Sequence, residues 1–117
     1  MSSKEARDWP DRREDIFERA QRIRDLLADI TYAGFLADAK LQDAIHYNLL
    51  VIGEAAGKAP LEVQQRLSQV PWNKIKGMRN AVAHGYFALD AEVIWETATL
   101  SVPDFVKALE ADTPSTT

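Results

Sequence analysis

The stretch WNKIKGMRNAVAHGYF, Trp72 to Phe87, governs the reading of the whole chain. Pro71 keeps the residue before it out of helical conformation, so a helix is predicted from near Asn73, and Gly85 suits the left-handed position that closes one. On an ideal helix Ile75, Met78 and Val82 project within about 60° of one another and form the core side. Asn80 and His84, four residues apart, share the opposite side. Arg79 falls about 140° from His84 around the axis, at the border of the core face. Within one chain the two groups converge only if the long arginine side chain reaches round or the helix frays near Gly85. Otherwise a second copy has to supply the missing group.

The charge pattern singles out the same segment. Between Val63 and Leu89 there is no Asp or Glu, while Arg66, Lys74, Lys76 and Arg79 all lie there, in a chain whose formal net charge is -4. A local positive field in an acidic chain suits a phosphate or another anion. Cleaving RNA without a metal requires three groups: a base for the 2′-hydroxyl proton, a cation for the charged phosphorane, and an acid for the leaving 5′-oxygen. Histidine titrates near neutrality and can serve as base or acid. Arginine offers a permanently charged planar fork that matches phosphate oxygens. One chain has one suitable histidine, His84, and two copies have two. The spacing alone leaves a plainer reading open, with Arg79 in a bundle ion pair and His84 as a cation at the helix C-terminus.

On the N-terminal side, residues 1–10 are polar and are expected to be a flexible lead-in, with the helical domain running over 11–110 and a disordered tail over 111–117. Asp11 with Glu14 suggests a capping pair for a first helix. Ile16, Ala20, Ile23, Leu27 and Ile30 then form one apolar stripe at spacings of four and three. Gly34 breaks this pattern, which places a turn over Thr31 to Leu36. Asp38 can cap a second helix carrying Leu41, Ala44, Ile45, Leu49, Ile52 and Ala56. Gly53, Ala55 and Ala56 would admit a close neighbour, and Glu54 among them is expected to pair with an arginine such as Arg79. His46 is assigned a structural or surface role. Pro60 opens a short helix over Leu61 to Leu67. Asp90 can cap the last helix, in which Pro103 implies a kink or break before Phe105. Trp72 and Trp95 are read as core plugs.

Length and composition set the outer bounds. A chain of 117 residues, 46% hydrophobic and 27% charged, is one ordinary globular domain. With no cysteine, disulfides and thiolate metal sites are excluded. Two histidines far apart in sequence offer no dedicated transition-metal site, so no metal or other cofactor is expected. No apolar run approaches the roughly 18 residues that a membrane span needs, and a cytoplasmic location is expected. Period-two alternation is missing throughout, so the fold class is all-α: an antiparallel four-helix bundle with one additional short helix.

Several local patterns together resemble a known family. Gly53-Glu54-Ala55-Ala56, Pro71-Trp72 followed by Ile75, Gly77-Met78-Arg79-Asn80, and His84-x-Tyr86 with Asp90 beyond are similar in order and spacing to the HepT-like (formerly DUF86) group of HEPN-domain proteins. The resemblance extends from about Asp11 to Leu109. It implies an all-helical bundle that forms a homodimer and brings two Arg-x4-His motifs into one cleft. It also implies a metal-independent endoribonuclease toxin of a prokaryotic toxin-antitoxin pair, acting on an RNA such as tRNA or mRNA. By position Arg79 and His84 would be the catalytic pair with Asn80 beside them; Lys74 and Lys76, from the local positive charge, are expected to contact RNA phosphates. The implied antitoxin partner is a minimal nucleotidyltransferase that attaches AMP to Tyr86. The acidic balance also leaves room for a noncatalytic helical adaptor or substrate-binding subunit of that enzyme.

Overall fold

The computed structural model describes residues 8–83 and 91–112, without the side chains of residues 79 and 81–83. Every regular element among them is helical. The elements are α1 (Trp9–Leu27), α2 (Tyr32–Leu36), α3 (Ala39–Ala56), α4 (Leu61–Arg66), α5 (Trp72–Ala83) and α6 (Ala91–Glu96), followed by a π-helical segment (Thr97–Ser101) and α7 (Val102–Ala111). The bundle is all-α, as the periodicity indicates.

The central element is α3, which packs on α1, α2 and α5. Its sequence explains this. Leu41, Ile45, Leu49 and Ile52 form one buried stripe, and the small Gly53, Ala55 and Ala56 are buried beside it, so neighbours approach from more than one side. Ile16 and Ile45, both 0% exposed, and Ile23 at 1% belong to the core shared by α1 and α3. Each such side chain contributes about 1.5–3 kcal/mol by leaving water. Asn48 is the one polar residue in the buried set of the described residues, and its amide donates back to the Ala44 carbonyl at 2.8 Å. The last helix runs antiparallel to α1. Arg13, near the start of α1, donates to the carbonyl of Leu109 near the end of α7 at 2.9 Å and lies over the Phe17 ring.

Five local expectations are corrected. The first helix starts at Trp9, inside the expected lead-in, because Asp8 rather than Asp11 is its N-cap and Pro10 occupies the first turn, where a missing N–H costs nothing. That helix ends at Leu27, so Ile30 reaches the core from a connection in which Asp29 takes a left-handed φ of 63°. The expected turn over 31–36 is the short helix α2. Thr31 caps it by accepting from the Gly34 N–H at 3.0 Å, and Gln42 binds the Phe35 and Leu36 carbonyls at 2.9 and 3.1 Å.

Pro103 does not break the last helix. The chain instead widens into a π turn just ahead of it, closed by a bond from the Val102 N–H to the Thr97 carbonyl. Thr97 and Thr99 hydroxyls donate to the carbonyls of Val93 and Trp95, both at 2.7 Å, which occupies acceptors next to the irregular register. The helix therefore continues to Ala111, and Asp112, which the sequence placed in the tail, is held in a two-pronged ion pair with Arg66 at 2.7 and 2.9 Å.

Trp72 and Trp95 are half-buried and pack against the core rather than plugging it. Trp72 sits edge-on to Phe105 at 5.5 Å between ring centres and donates its indole N–H to the Leu67 carbonyl at 3.1 Å. Trp95 packs against Phe35 and Tyr32, at 5.4 and 5.8 Å.

Candidate functional site

The helix that carries the basic stretch is fixed at its first turn. The Pro71 carbonyl accepts from the N–H groups of Lys74 and Ile75 at 2.9 and 3.1 Å, and the Trp72 side chain anchors the same turn in the core. Ile75 and Met78 are half-buried against the core cluster, on the side the periodicity assigned to them. The opposite side carries Asn73 and Gly77, both exposed, and Asn80, which is half-buried.

The described cations of the acid-free stretch, Arg66, Lys74 and Lys76, do not form one patch. Arg66 is committed to Asp112, whose side chain is only 9% exposed, and hydrogen bonding by Arg66 holds that carboxyl below the usual carboxylate range. Lys74 and Lys76 are both exposed, but two residues along a helix turn through about 200°, so they look to opposite sides of α5. Only Lys74 reaches the large groove beside that helix. Lys76 keeps to the side of Asn80, four residues on.

Arg79 lies on α5, but its side chain, together with His84, Gly85, Tyr86 and Asp90, falls outside the described residues, as do residues 1–7 and 113–117. Glu54 is exposed on α3 while its neighbours Gly53 and Ala55 are buried, so the carboxylate leaves the apolar stretch by facing out. The expected pairing of Glu54 with Arg79 depends on that undescribed side chain. His46 is half-buried.

Beside α5 lies a groove of about 620 Å³, bounded by α3, α5 and the last helix. Its lining is mostly apolar, with Ile52, Val70, Ile75, Met78, Val102 and Phe105, and includes the exposed Lys74 and Asp104. Sequence reasoning missed this groove because its walls are far apart in the chain. Val93, a large apolar side chain, is left 39% exposed in its lining.

An all-α bundle whose acid-free helix leads into an Arg-x4-His sequence has the architecture of the HEPN-like class. Comparison with known proteins agrees. The family model described as Ribonuclease HepT-like matches residues 16–111, and the chain belongs to that family. It is 36% identical over 96 residues to the Methanocaldococcus jannaschii protein named "Putative RNase MJ0127", covering 82% of this chain and 79% of that one. It is 33% identical over 90 residues to "Probable ribonuclease HepT" of Thermococcus cleftensis, covering 77% and 82%. A protein of Caldanaerobacter subterraneus subsp. tengcongensis named "Putative RNase TTE0752" is 32% identical over 97 residues, covering 83% and 87%. No solved structure matches the chain. Among the described residues, no helix is long and apolar enough to cross a membrane.

Proposed function

We propose that this chain is a metal-independent endoribonuclease that works as a homodimer in the cytoplasm. The observation that supports the reading is the family match over 16–111, a span that contains the whole basic stretch with Arg79 and His84. In the proposed reaction, His84 of one copy takes the proton from an RNA 2′-hydroxyl and the freed oxygen attacks the adjacent phosphorus. The bond to the 5′-oxygen breaks, and His84 of the partner subunit gives that oxygen a proton. The products are a 2′,3′-cyclic phosphate and a 5′-hydroxyl. Arg79 stabilises the phosphorane, Asn80 orients the phosphate or the imidazole, and Lys76 adds a cation on the same side. Such preorganised donors act where charge develops, and removing one commonly costs about 10²–10³ in rate.

The same reading makes the protein the toxin of a toxin-antitoxin pair, neutralised by a minimal nucleotidyltransferase that attaches AMP to Tyr86. A negatively charged group two residues from His84 would block the cleft and compete with an RNA phosphate for Arg79. The test is incubation of purified protein with a total RNA or tRNA pool, wild type beside Arg79→Ala and His84→Ala, with product ends analysed. Cyclic phosphate ends from the wild type alone support the reading, whereas 3′-hydroxyl ends or full activity in either variant contradict it. The formal net charge of -4 favours one alternative, a noncatalytic adaptor of the nucleotidyltransferase; a folded dimer that never cuts RNA, with or without chelator, would be its result.

A further inference from the structure

We infer that the outer face of α3 around Tyr47 is a stacking platform for one unpaired RNA base, beside the half of α5 that carries Arg79. This rests on the ribonuclease reading above for RNA as the ligand and adds where that ligand is held. Tyr47 is 55% exposed, the most exposed aromatic residue among those described. Tyr32, the next most exposed, packs on Trp95. Tyr47 instead has a cation on its ring: the Arg19 guanidinium lies over it, 5.3 Å from the ring centre, which steadies the ring without covering it. An unstacked base needs a steady, open aromatic surface of this kind, because every base offers a π-face to it.

Helix register decides where the platform sits. The groove beside α5 brings together Leu49, Ile52 and Gly53 from the second half of α3 and Lys74, Ile75 and Met78 from the first half of α5. The two helices therefore run antiparallel, and the second half of α5, with the backbone of Arg79, passes the level of His46 and Tyr47. His46 continues the stripe of Leu49 and Gly53 at spacings of three and four, so it lies on the α5 side, and Tyr47 comes next on the outer face. An RNA strand with its scissile phosphate at Arg79 would carry a neighbouring nucleotide past Tyr47. Charge then selects which part of that nucleotide fits. Asp43 and Glu54, both exposed, lie one turn before Tyr47 and two turns after it on the same face. Carboxylates at both ends repel a phosphate backbone and leave the neutral base as the part of RNA that fits. A single bare ring among charged side chains also lacks the apolar centre that a protein interface is built on.

The test is fluorescence anisotropy on the full chain as wild type, Tyr47→Ala and Tyr47→Phe. The probes are a fluorescein-labelled 2′-O-methyl oligoadenylate, which has no 2′-hydroxyl to attack with, and an abasic 2′-O-methyl oligomer of the same length. Tyr47→Ala is expected to bind the oligoadenylate at least about fivefold more weakly than wild type, with an unchanged circular dichroism spectrum because the ring is exposed. Tyr47→Phe keeps the ring and should bind like wild type, and the abasic oligomer should not distinguish wild type from Tyr47→Ala. Equal oligoadenylate binding by wild type and Tyr47→Ala would overturn the inference, as would a wild type that binds no oligoadenylate. So would a loss in Tyr47→Phe as large as in Tyr47→Ala, or an equal loss with the abasic oligomer, since a hydroxyl or a phosphate contact would then be responsible. Wild-type RNA affinity in Tyr47→Ala with altered sedimentation would give the face to a protein contact and also overturn it. Cleavage is scored separately: a chain that binds through Tyr47 and cuts nothing removes the ribonuclease reading and leaves the platform standing, whereas full cleavage with unchanged KM in Tyr47→Ala removes the platform alone.

Discussion

The two flanks of α3 are built differently. On the α1 flank Ile16, Ile23 and Ile45 are sealed between the helices and Arg13 binds the Leu109 carbonyl, while a groove of about 630 Å³ opens further out, between α1 and the last helix. On the α5 flank the helix is anchored at Trp72 but then runs beside an open apolar groove, with a glycine facing empty space and the exposed Lys74 and Asp104 in its lining. The sealed isoleucines hold α1 on α3, whereas the α5 flank keeps an apolar groove beside the basic helix.

Substitutions on the two flanks should therefore separate cleanly. The largest effect is expected at His84→Ala, where RNA cleavage should fall about 10²–10⁴-fold while the thermal midpoint stays put; a midpoint that drops with activity would assign His84 to the fold. On the closed flank, Ile45→Ala removes a side chain that is 0% exposed. It should cost about 2–5 kcal/mol in denaturant unfolding, and a loss below about 1 kcal/mol would show that α3 is not the central support. Gly77→Ala should act in the opposite direction under dilution to monomer, raising stability by up to about 1 kcal/mol. Destabilisation there would mean that the chain itself needs the glycine.

The smallest effect concerns the tie between Arg66 and Asp112. Because hydrogen bonding by Arg66 lowers the Asp112 pKa in the folded chain, the stabilisation is fully present above the unfolded-chain value. It is lost as pH falls through the lower folded value. Thermal melts of wild type should thus lose a little more stability than Asp112→Asn melts on acidification below about pH 4. Parallel curves would show that the pair is energetically silent.

Most of the architecture was legible because it rests on period and punctuation. Leu41, Ile45, Leu49 and Ile52 announce α3, Asp38 caps it, and Pro71 sets the start of α5 within one residue. The misses are places where a small local device overrides the pattern. Thr31 and Gln42 turn an apparent loop into α2, Asp8 starts α1 ahead of the expected cap, and of the kink or break expected at Pro103 the chain shows a π turn just ahead of it rather than a break. At the site, the sequence correctly put Ile75 and Met78 on the core side. It grouped Lys74 with Lys76 by proximity, although helix geometry sets them on opposite sides. It also counted Arg66 as an available cation, because its partner Asp112 lies 46 residues away along the chain.

In the proposed reaction one copy of the chain lacks a complete set of reacting groups. The direct measurement uses dimers assembled from one wild-type chain and one His84→Ala chain carrying different affinity tags, purified through both tags and assayed for RNA cleavage. A shared cleft that needs both imidazoles leaves this mixed dimer close to the activity of the double variant. A mixed dimer with half of wild-type activity would show that each copy cuts RNA alone and would contradict the account.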